Sequence, residues 1–361
     1  MKIQRYLVAA ILVLPAACSG ASSQALGPNW GPTTNSNVGQ ERPAVSGNVS
    51  RKARVNPNAC TDPTVFVSSD SSSISPTVNG YSCTTEVSSL GGSATGIHNS
   101  APIAVDELTQ KLYVVAGLYE QKINIFAASA TGNVSPGSTL TSATAGLNVR
   151  AITIDQDGYI WVDNDVSTFM GNLMRFAPNA HGSSTPLQTI IPGPNNSLFT
   201  GAFIGGLATD SSGNIYTANT TESEKPQIIE FAATASGDAT PIRTIAGSNT
   251  GIGAYDGIAV DSNGRILDAD ESTNTVRVFA ANASGNATPI QILHGSATNL
   301  NDPTSIQAGP IDNFYVANVT TVTKYLASAT GNSGPVETIN NGSGTYGLAL
   351  CSCSETGPKR R

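Results

Sequence analysis

Tyr255 to Gly295, YDGIAVDSNGRILDADESTNTVRVFAANASGNATPIQILHG, is the stretch whose reading decides the fold. Its apolar residues fall into four short runs separated by turn chemistry. Ile258 to Asp261 (IAVD) has the near-continuous apolar character of a strand covered on both faces. Asp261-Ser262-Asn263-Gly264 is a tight-turn signal in which glycine supplies the positive φ that closes a hairpin. Arg265 to Asp270 (RILDAD) reads as a second strand, and Thr275 to Ala281 (TVRVFAA) alternates as a half-buried third. Asn282 to Ala287 turns through Gly285, and Thr288 to Leu293 (TPIQIL) is the fourth strand, with Pro289 near its start. Proline lacks a donor and fits an edge strand, not a central one. The fourth strand is therefore expected to be the outermost of its sheet.

Working outward, the same four-strand unit recurs five times. The first strands are IAVD (103–106), ITID (152–155), LATD (207–210), IAVD (258–261) and IQAG (306–309). The third strands end on Phe126, Phe176, Phe231, Phe279 and Tyr325, with a glycine six residues after each and a proline ten after. A period between 46 and 55 residues is the mark of a propeller or solenoid, whose units bury their apolar faces against one another. Two fragments remain. Thr64 to Leu90 begins with TVFVSSD, which matches the second strands but has no first strand before it. Tyr346 to Cys353 (YGLALCSC) looks like a first strand with nothing after it. Joined, they make a sixth blade with the carboxy-terminal strand innermost, closing a ring without free sheet edges.

GIAVDSNGRILDADESTNTVRVF, GGLATDSSGNIYTAN and AITIDQDGYIWVDND resemble the NHL repeat of six-bladed β-propellers, over residues 61–354. The resemblance implies an all-β, six-bladed propeller of four-stranded antiparallel blades. It says little about activity. Propellers of this shape serve as lactonases, lyases, sensor domains of bacterial receptors and plain binding platforms, because sites are grafted onto folds.

Charged residues are 12 % of the chain, with 36 Gly and 20 Pro, which suits many short strands joined by turns. Residues 61–354 hold 9 Lys plus Arg against 23 Asp plus Glu, so the body is acidic. A nucleic-acid partner needs a basic stripe and is not expected. The basic residues gather at Lys2 and Arg5, at Arg51-Lys52-Ala53-Arg54 and at Lys359-Arg360-Arg361. Residues 1–17 have the layout of a signal peptide: a basic start and an apolar run too short to span a bilayer. Leu14-Pro15-Ala16-Ala17-Cys18-Ser19-Gly20 resembles a bacterial lipobox, which implies lipidation at Cys18. Pro15 departs from that pattern, and ordinary cleavage after Ala21 is the alternative. Either route places the mature chain outside the cytoplasm, touching a membrane only through its amino-terminal anchor. Residues 18–60 are polar and read as a flexible tether, and 355–361 as a disordered basic tail.

Apart from Cys18, the cysteines are Cys60, Cys83, Cys351 and Cys353, all in or beside the two fragments that must meet. In an exported chain an even set reads as two disulfides. Cys351 and Cys353 lie two apart on one strand, so each is expected to pair with Cys60 or Cys83, in an order the sequence leaves open. A metal-binding Cys-x-Cys is the competing reading.

Lactonases of the gluconolactonase or senescence-marker type bind a divalent cation with carboxylates and Asn just before the first strands. The corresponding residues are Ala101, Arg150, Gly205, Asp256, Thr304 and Tyr346. Only Asp256 resembles that family's metal-binding Asp, and one carboxylate is a poor site for a hard cation. No cofactor is expected; calcium at Asp155-Gln156-Asp157-Gly158 or Asp163-Asn164-Asp165 is a weak alternative to hairpin turns. Asn164, Asn219, Asp270 and Asn318 recur at the ends of second strands and are expected to bond turn backbone. His98, His181 and His294 are scattered, and no GxSxG, P-loop or dinucleotide fingerprint occurs. The expectation is a non-enzymatic binding module whose ligand (protein, glycan or small molecule) meets Arg150, Asp256, Thr304 and Tyr346 at the channel mouth. The alternatives are a lactonase- or lyase-like enzyme using the same mouth, and a structural scaffold without a pocket ligand.

Overall fold

A computed structural model describes residues 63–351 apart from 72–73, 99–101, 118–119, 168–169, 197, 199–205, 221–224, 254–256 and 343. The repeat unit folds as four antiparallel strands. In blade 5 they are Gly257–Val260, Ile266–Asp270, Thr275–Phe279 and Gln291–Leu293, from the axis outward. Blade 2 runs Ile103–Asp106, Lys111–Val115, Ile123–Ala127 and Ser138–Ser142. Blade 3 runs Val149–Ile154, Ile160–Ser167, Met170–Phe176 and Gln188–Ile190. Blade 4 runs Gly206–Thr209, Ile215–Thr220, Pro226–Phe231 and Arg243–Ala246. Blade 6 runs Ser305–Ala308, Phe314–Ala317, Thr321–Tyr325 and Glu337–Asn340.

The first blade is the composite one. Thr345–Cys351 lies innermost beside Thr64–Ser71, followed by Ile74–Ser82 and Thr85–Gly91. Thr64 faces Cys351 across the junction, and the Gly347 N–H donates to Ser68 Oγ. Each inner strand neighbours the next around the axis, and Thr345–Cys351 contacts the inner strands of both blade 6 and blade 2. The chain is thus a closed, six-bladed all-β propeller.

Six apolar layers fill the six gaps between blades. The recurrent aromatic of each third strand enters the gap toward the preceding blade: Phe126, Phe176, Phe231, Phe279 and Tyr325 are all buried. The composite blade has its own counterpart in Tyr81, buried in the layer shared with blade 6 and donating to Asn341 Oδ1 at 2.8 Å. In blades 2 to 5 an Asp ends the first strand and holds the following turn. Asp261 Oδ1 accepts from the N–H groups of Asn263 and Arg265, both at 2.9 Å, and Asp155 and Asp210 repeat this pattern.

The fourth strands are outermost, as Pro289 and its siblings imply, but five of the six edges are covered among the described residues. The long turn between third and fourth strands climbs along the outer strand of the preceding blade. Gly132, Gly182, Gly237, Gly285 and Gly331 lie parallel to, and opposite, Leu90, Leu140, Ile190, Ile245 and Leu293. All five glycines have φ between 59° and 74°, and a Cβ on any of them would meet open space, so conformation and not room demands glycine. The next residue extends the strap. The Oδ1 atoms of Asn133, Asn286 and Asn332 accept from the backbone of Ala94, Asn249 and Ala297 in the connection leaving the covered strand.

No disulfide joins Cys83 to Cys351 among the described residues. Cys83 is exposed in the turn between Ile74–Ser82 and Thr85–Gly91, and Cys351 is buried at the end of the inner strand. Cys18, Cys60 and Cys353 lie outside the described residues, as do the expected signal peptide, tether and basic tail.

Candidate functional site: the channel mouth

The connections that carry the chain from an outer strand back to the axis form one rim of the ring. Ends of second strands support them. Asn164 Oδ1 accepts from the Asn148 N–H at 2.7 Å, and Asn318 Oδ1 from the Asn301 N–H at 3.0 Å. These two asparagines therefore hold the incoming connection, which passes directly over the end of the second strand, and Asn318 also bonds its own turn as expected, its Nδ2 donating to the Thr321 carbonyl at 3.4 Å. Asp270 does bond its own turn, accepting from the Ser272 and Thr273 N–H groups at 2.8 and 3.2 Å. Asp155 also departs from a calcium-loop arrangement. Its Oδ1 takes the Asp157 and Tyr159 N–H groups, and its Oδ2 takes Arg175 at 3.2 Å.

Of the four expected mouth residues, the fold brings two together. Thr304, at the start of the blade 6 inner strand, directs its hydroxyl at the carbonyls of Thr345 and Tyr346, at 3.3 and 3.5 Å. Tyr346, on the composite blade, is 38 % exposed. Asp256 lies outside the described residues. Its neighbour Gly257 abuts blade 6 so closely that a Cβ there would stand 2.8 Å from Ser305 Cα and 3.1 Å from the Thr304 carbonyl oxygen. Blade 5, Thr304 and Tyr346 thus follow one another around the rim. Arg150 sits apart, in blade 3. It is the extra residue of a bulge, since Val149 and Ala151 face the adjacent residues Asn164 and Asp163. Its guanidinium bonds Asp165 Oδ2 at 2.9 Å, both side chains about a quarter exposed.

Beside that pair is a group the sequence reading passed over as turn chemistry. The Asp163 carboxyl is buried, and its Oδ1 has no hydrogen-bond partner among the described residues. Burial, reinforced by the Asp165 charge and partly offset by Arg150, pushes its pKa up to about 8. A carboxyl whose pKa is higher in the folded than in the unfolded state stabilises fully only below the unfolded value. The contribution is lost as pH rises from about 4 to about 8. Asp163→Asn removes that penalty. The variant is expected to melt with the wild type near pH 4 and several degrees above it at pH 8.5, in thermal scans at both pH values. A gap independent of pH would mean that Asp163 is ionised throughout.

In blade 5, Asp268 and Asp270 are fully buried, with Arg277 reaching them at 3.5 and 2.8 Å in the gap toward blade 4. Burial raises the Asp270 pKa, but hydrogen bonds from Ser272, Thr273 and Arg277 outweigh it and hold the group below its ordinary value. Register alone makes this pair, for Asp268 and Arg277 face each other on adjacent strands. The histidines do not converge. The His98 N–H donates to Ala116 O in blade 2, the His294 N–H to the Gly331 strap at the edge of blade 5, and His181 is exposed.

No family model matches the chain, and no curated protein matches its sequence. Solved structures do. The WD40 β-propeller domain of Doa1 superposes with a TM-score of 0.51 at 12 % identity, covering 81 % of this chain and 87 % of that one. The major allergen Mala s 1 of Malassezia sympodialis gives 0.46 at 14 % identity over 68 % of this chain and 81 % of that one. Apo AztD from Citrobacter koseri gives 0.46 at 10 % identity over 80 % and 98 %. At such identities the likeness to the Doa1 domain is one of fold alone: this chain is a β-propeller.

Proposed function

We propose that the protein is an exported, lipid-anchored propeller of the NHL-repeat type that works as a non-enzymatic binding module and meets its ligand at the channel mouth. The observation that carries this reading is the step formed by Thr304 and the exposed Tyr346 where the ring closes, next to the blade that bears Asp256. An aromatic face beside hydroxyl and carbonyl groups suits a polar ligand with one flat apolar side, such as a sugar ring or a peptide side chain. Three carboxylates near the rim are already engaged, Asp165 by Arg150 and both Asp268 and Asp270 by Arg277, which supports recognition of a neutral or polar ligand over capture of a cation at those groups. Asp163, the carboxyl with the raised pKa, is fully buried, which favours binding over the lactonase or lyase alternative.

Glycan and peptide arrays probed with the full chain test the proposal. A ligand found there is expected to lose at least about tenfold in affinity with the Arg150→Ala, Asp256→Asn double variant, and as much with Tyr346→Ala. Unchanged affinity in both variants removes the mouth from consideration. Loss of the membrane fraction on Cys18→Ser tests the anchor separately.

A further inference from the structure

The bulge that carries Arg150 is peculiar to blade 3: the first strands of blades 2, 4, 5 and 6 pair with their second strands without a register shift. The connection that leads into the bulge is anchored at Asn148. Its N–H donates to Asn164 Oδ1 at 2.7 Å, and its carbonyl accepts from the Asp165 N–H at 2.9 Å. Blade 6 makes the same two bonds at Asn301, whose N–H donates to Asn318 Oδ1 at 3.0 Å and whose carbonyl accepts from the Val319 N–H at 3.1 Å. Asn164 and Asn318 are both fully buried. With Oδ1 committed to the connection, each has its Nδ2 still to be satisfied.

The two blades meet that need differently. In blade 6, Asn318 Nδ2 donates to Thr323 Oγ1 at 3.0 Å, with the Val316 and Thr321 carbonyls at 3.3 and 3.4 Å. Thr323 stands two residues before the aromatic that ends the third strand. In blade 3 that position is Met174, and a thioether is a weak acceptor. Asn164 Nδ2 has no partner among the described residues, and neither do two acceptors beside it. Asn172 faces Asn164 on the adjacent strand, and its Oδ1 is buried and unpartnered. Asn148 Oδ1 is in the same condition, on the residue whose N–H Asn164 already holds. The counterpart of Asn148 in blade 6, Asn301, is exposed. One buried donor and two buried acceptors thus surround one point, on the face that Val162 and Met174 turn toward blade 2. Leaving all three without a hydrogen bond is costly.

We propose that blade 3 binds one ordered water at this point, which accepts from Asn164 Nδ2 and donates to Asn148 Oδ1 and Asn172 Oδ1. One donor and two acceptors are the complement of a water making three bonds, the usual number for a buried one. A metal cation does not fit, because Asn164 presents an N–H, and an anion does not, because the other two groups present carbonyl oxygens. The water stands in for the Thr323 hydroxyl of blade 6. It also positions the mouth. Asn148 is held by its side chain as well as its backbone, two residues before Arg150, so the bulged strand leaves from a pinned residue.

A crystal structure of the full chain that resolves ordered water tests this. The expected result is a water within about 3.2 Å of all three atoms. No water there, or a direct bond between Asn164 Nδ2 and Asn172 Oδ1, overturns the proposal without reliance on any variant. Met174→Thr restores the hydroxyl of blade 6 and is expected to displace the water, the new hydroxyl accepting from Asn164. A water still bound to Asn164 Nδ2 in that variant overturns the proposal as well. The positioning role is read in solution by hydrogen exchange of the Asn148 amide, with the Asn301 amide as internal reference. Asn172→Leu removes one acceptor at similar size and is expected to speed Asn148 exchange about tenfold while leaving Asn301 unchanged. Equal Asn148 rates in wild type and variant overturn the positioning role.

Discussion

Arg277→Ala is expected to destabilise the propeller by about 3–5 kcal/mol, because it strips the cation from two buried carboxylates. Asp268 and Asp270 have no solvent exposure, and Arg277 is the guanidinium that reaches both. The desolvation of a buried carboxylate is offset only while its partner remains; without it the group protonates or the gap opens to water. Denaturant unfolding near pH 7 reads the loss. At acid pH the carboxylates are neutral in both proteins, so the gap between wild type and variant is expected to shrink. A loss below about 1 kcal/mol, the range of an exposed ion pair, would mean that the cluster is solvated.

Phe279→Ala, two residues along the same strand, is expected to cost about 3–5 kcal/mol by a different route. The ring fills the layer between blades 4 and 5 with Tyr216, Ile258 and Ile266, and is fully buried. Its removal leaves a cavity that neighbouring strands, fixed in a closed ring, collapse into poorly. Ile290, apolar but 55 % exposed near the start of the same blade's outer strand, is the control: Ile290→Ala is expected to stay within about 0.5 kcal/mol of wild type. Comparable losses in the two variants would contradict the assignment of Phe279 to the core. Because Arg277 and Phe279 face the same gap, their effects are not expected to add.

The repeat was legible because its determinants are local. A turn Asp, a terminal aromatic, a glycine and a proline recur at fixed offsets, and each follows from backbone conformation or burial within one blade. Closure was legible by subtraction, since the two fragments lack complementary strands. Tyr81 escaped notice because ISPTVNGYS, interrupted by proline and glycine, does not alternate like the other third strands. The repeated glycine was visible while its role was not: a strap is defined by the neighbouring blade, about fifty residues away. The mouth was least legible. Arg150 meets Asp165 through a bulge, and Arg277 meets Asp268 through register, and neither is encoded by spacing along one strand. Thr304 and Tyr346 were named from position alone, and it is ring closure that makes them neighbours.

Closure by the two ends of the domain is the claim on which the mouth, the core layers and the straps all depend. Amide hydrogen exchange across Thr345–Cys351 tests it most directly. That strand is expected to exchange as slowly as Gly257–Val260, the inner strand of blade 5, so that both open only with global unfolding. Exchange at the rate of a free carboxy-terminal tail, while Gly257–Val260 stays protected, would contradict the closed ring.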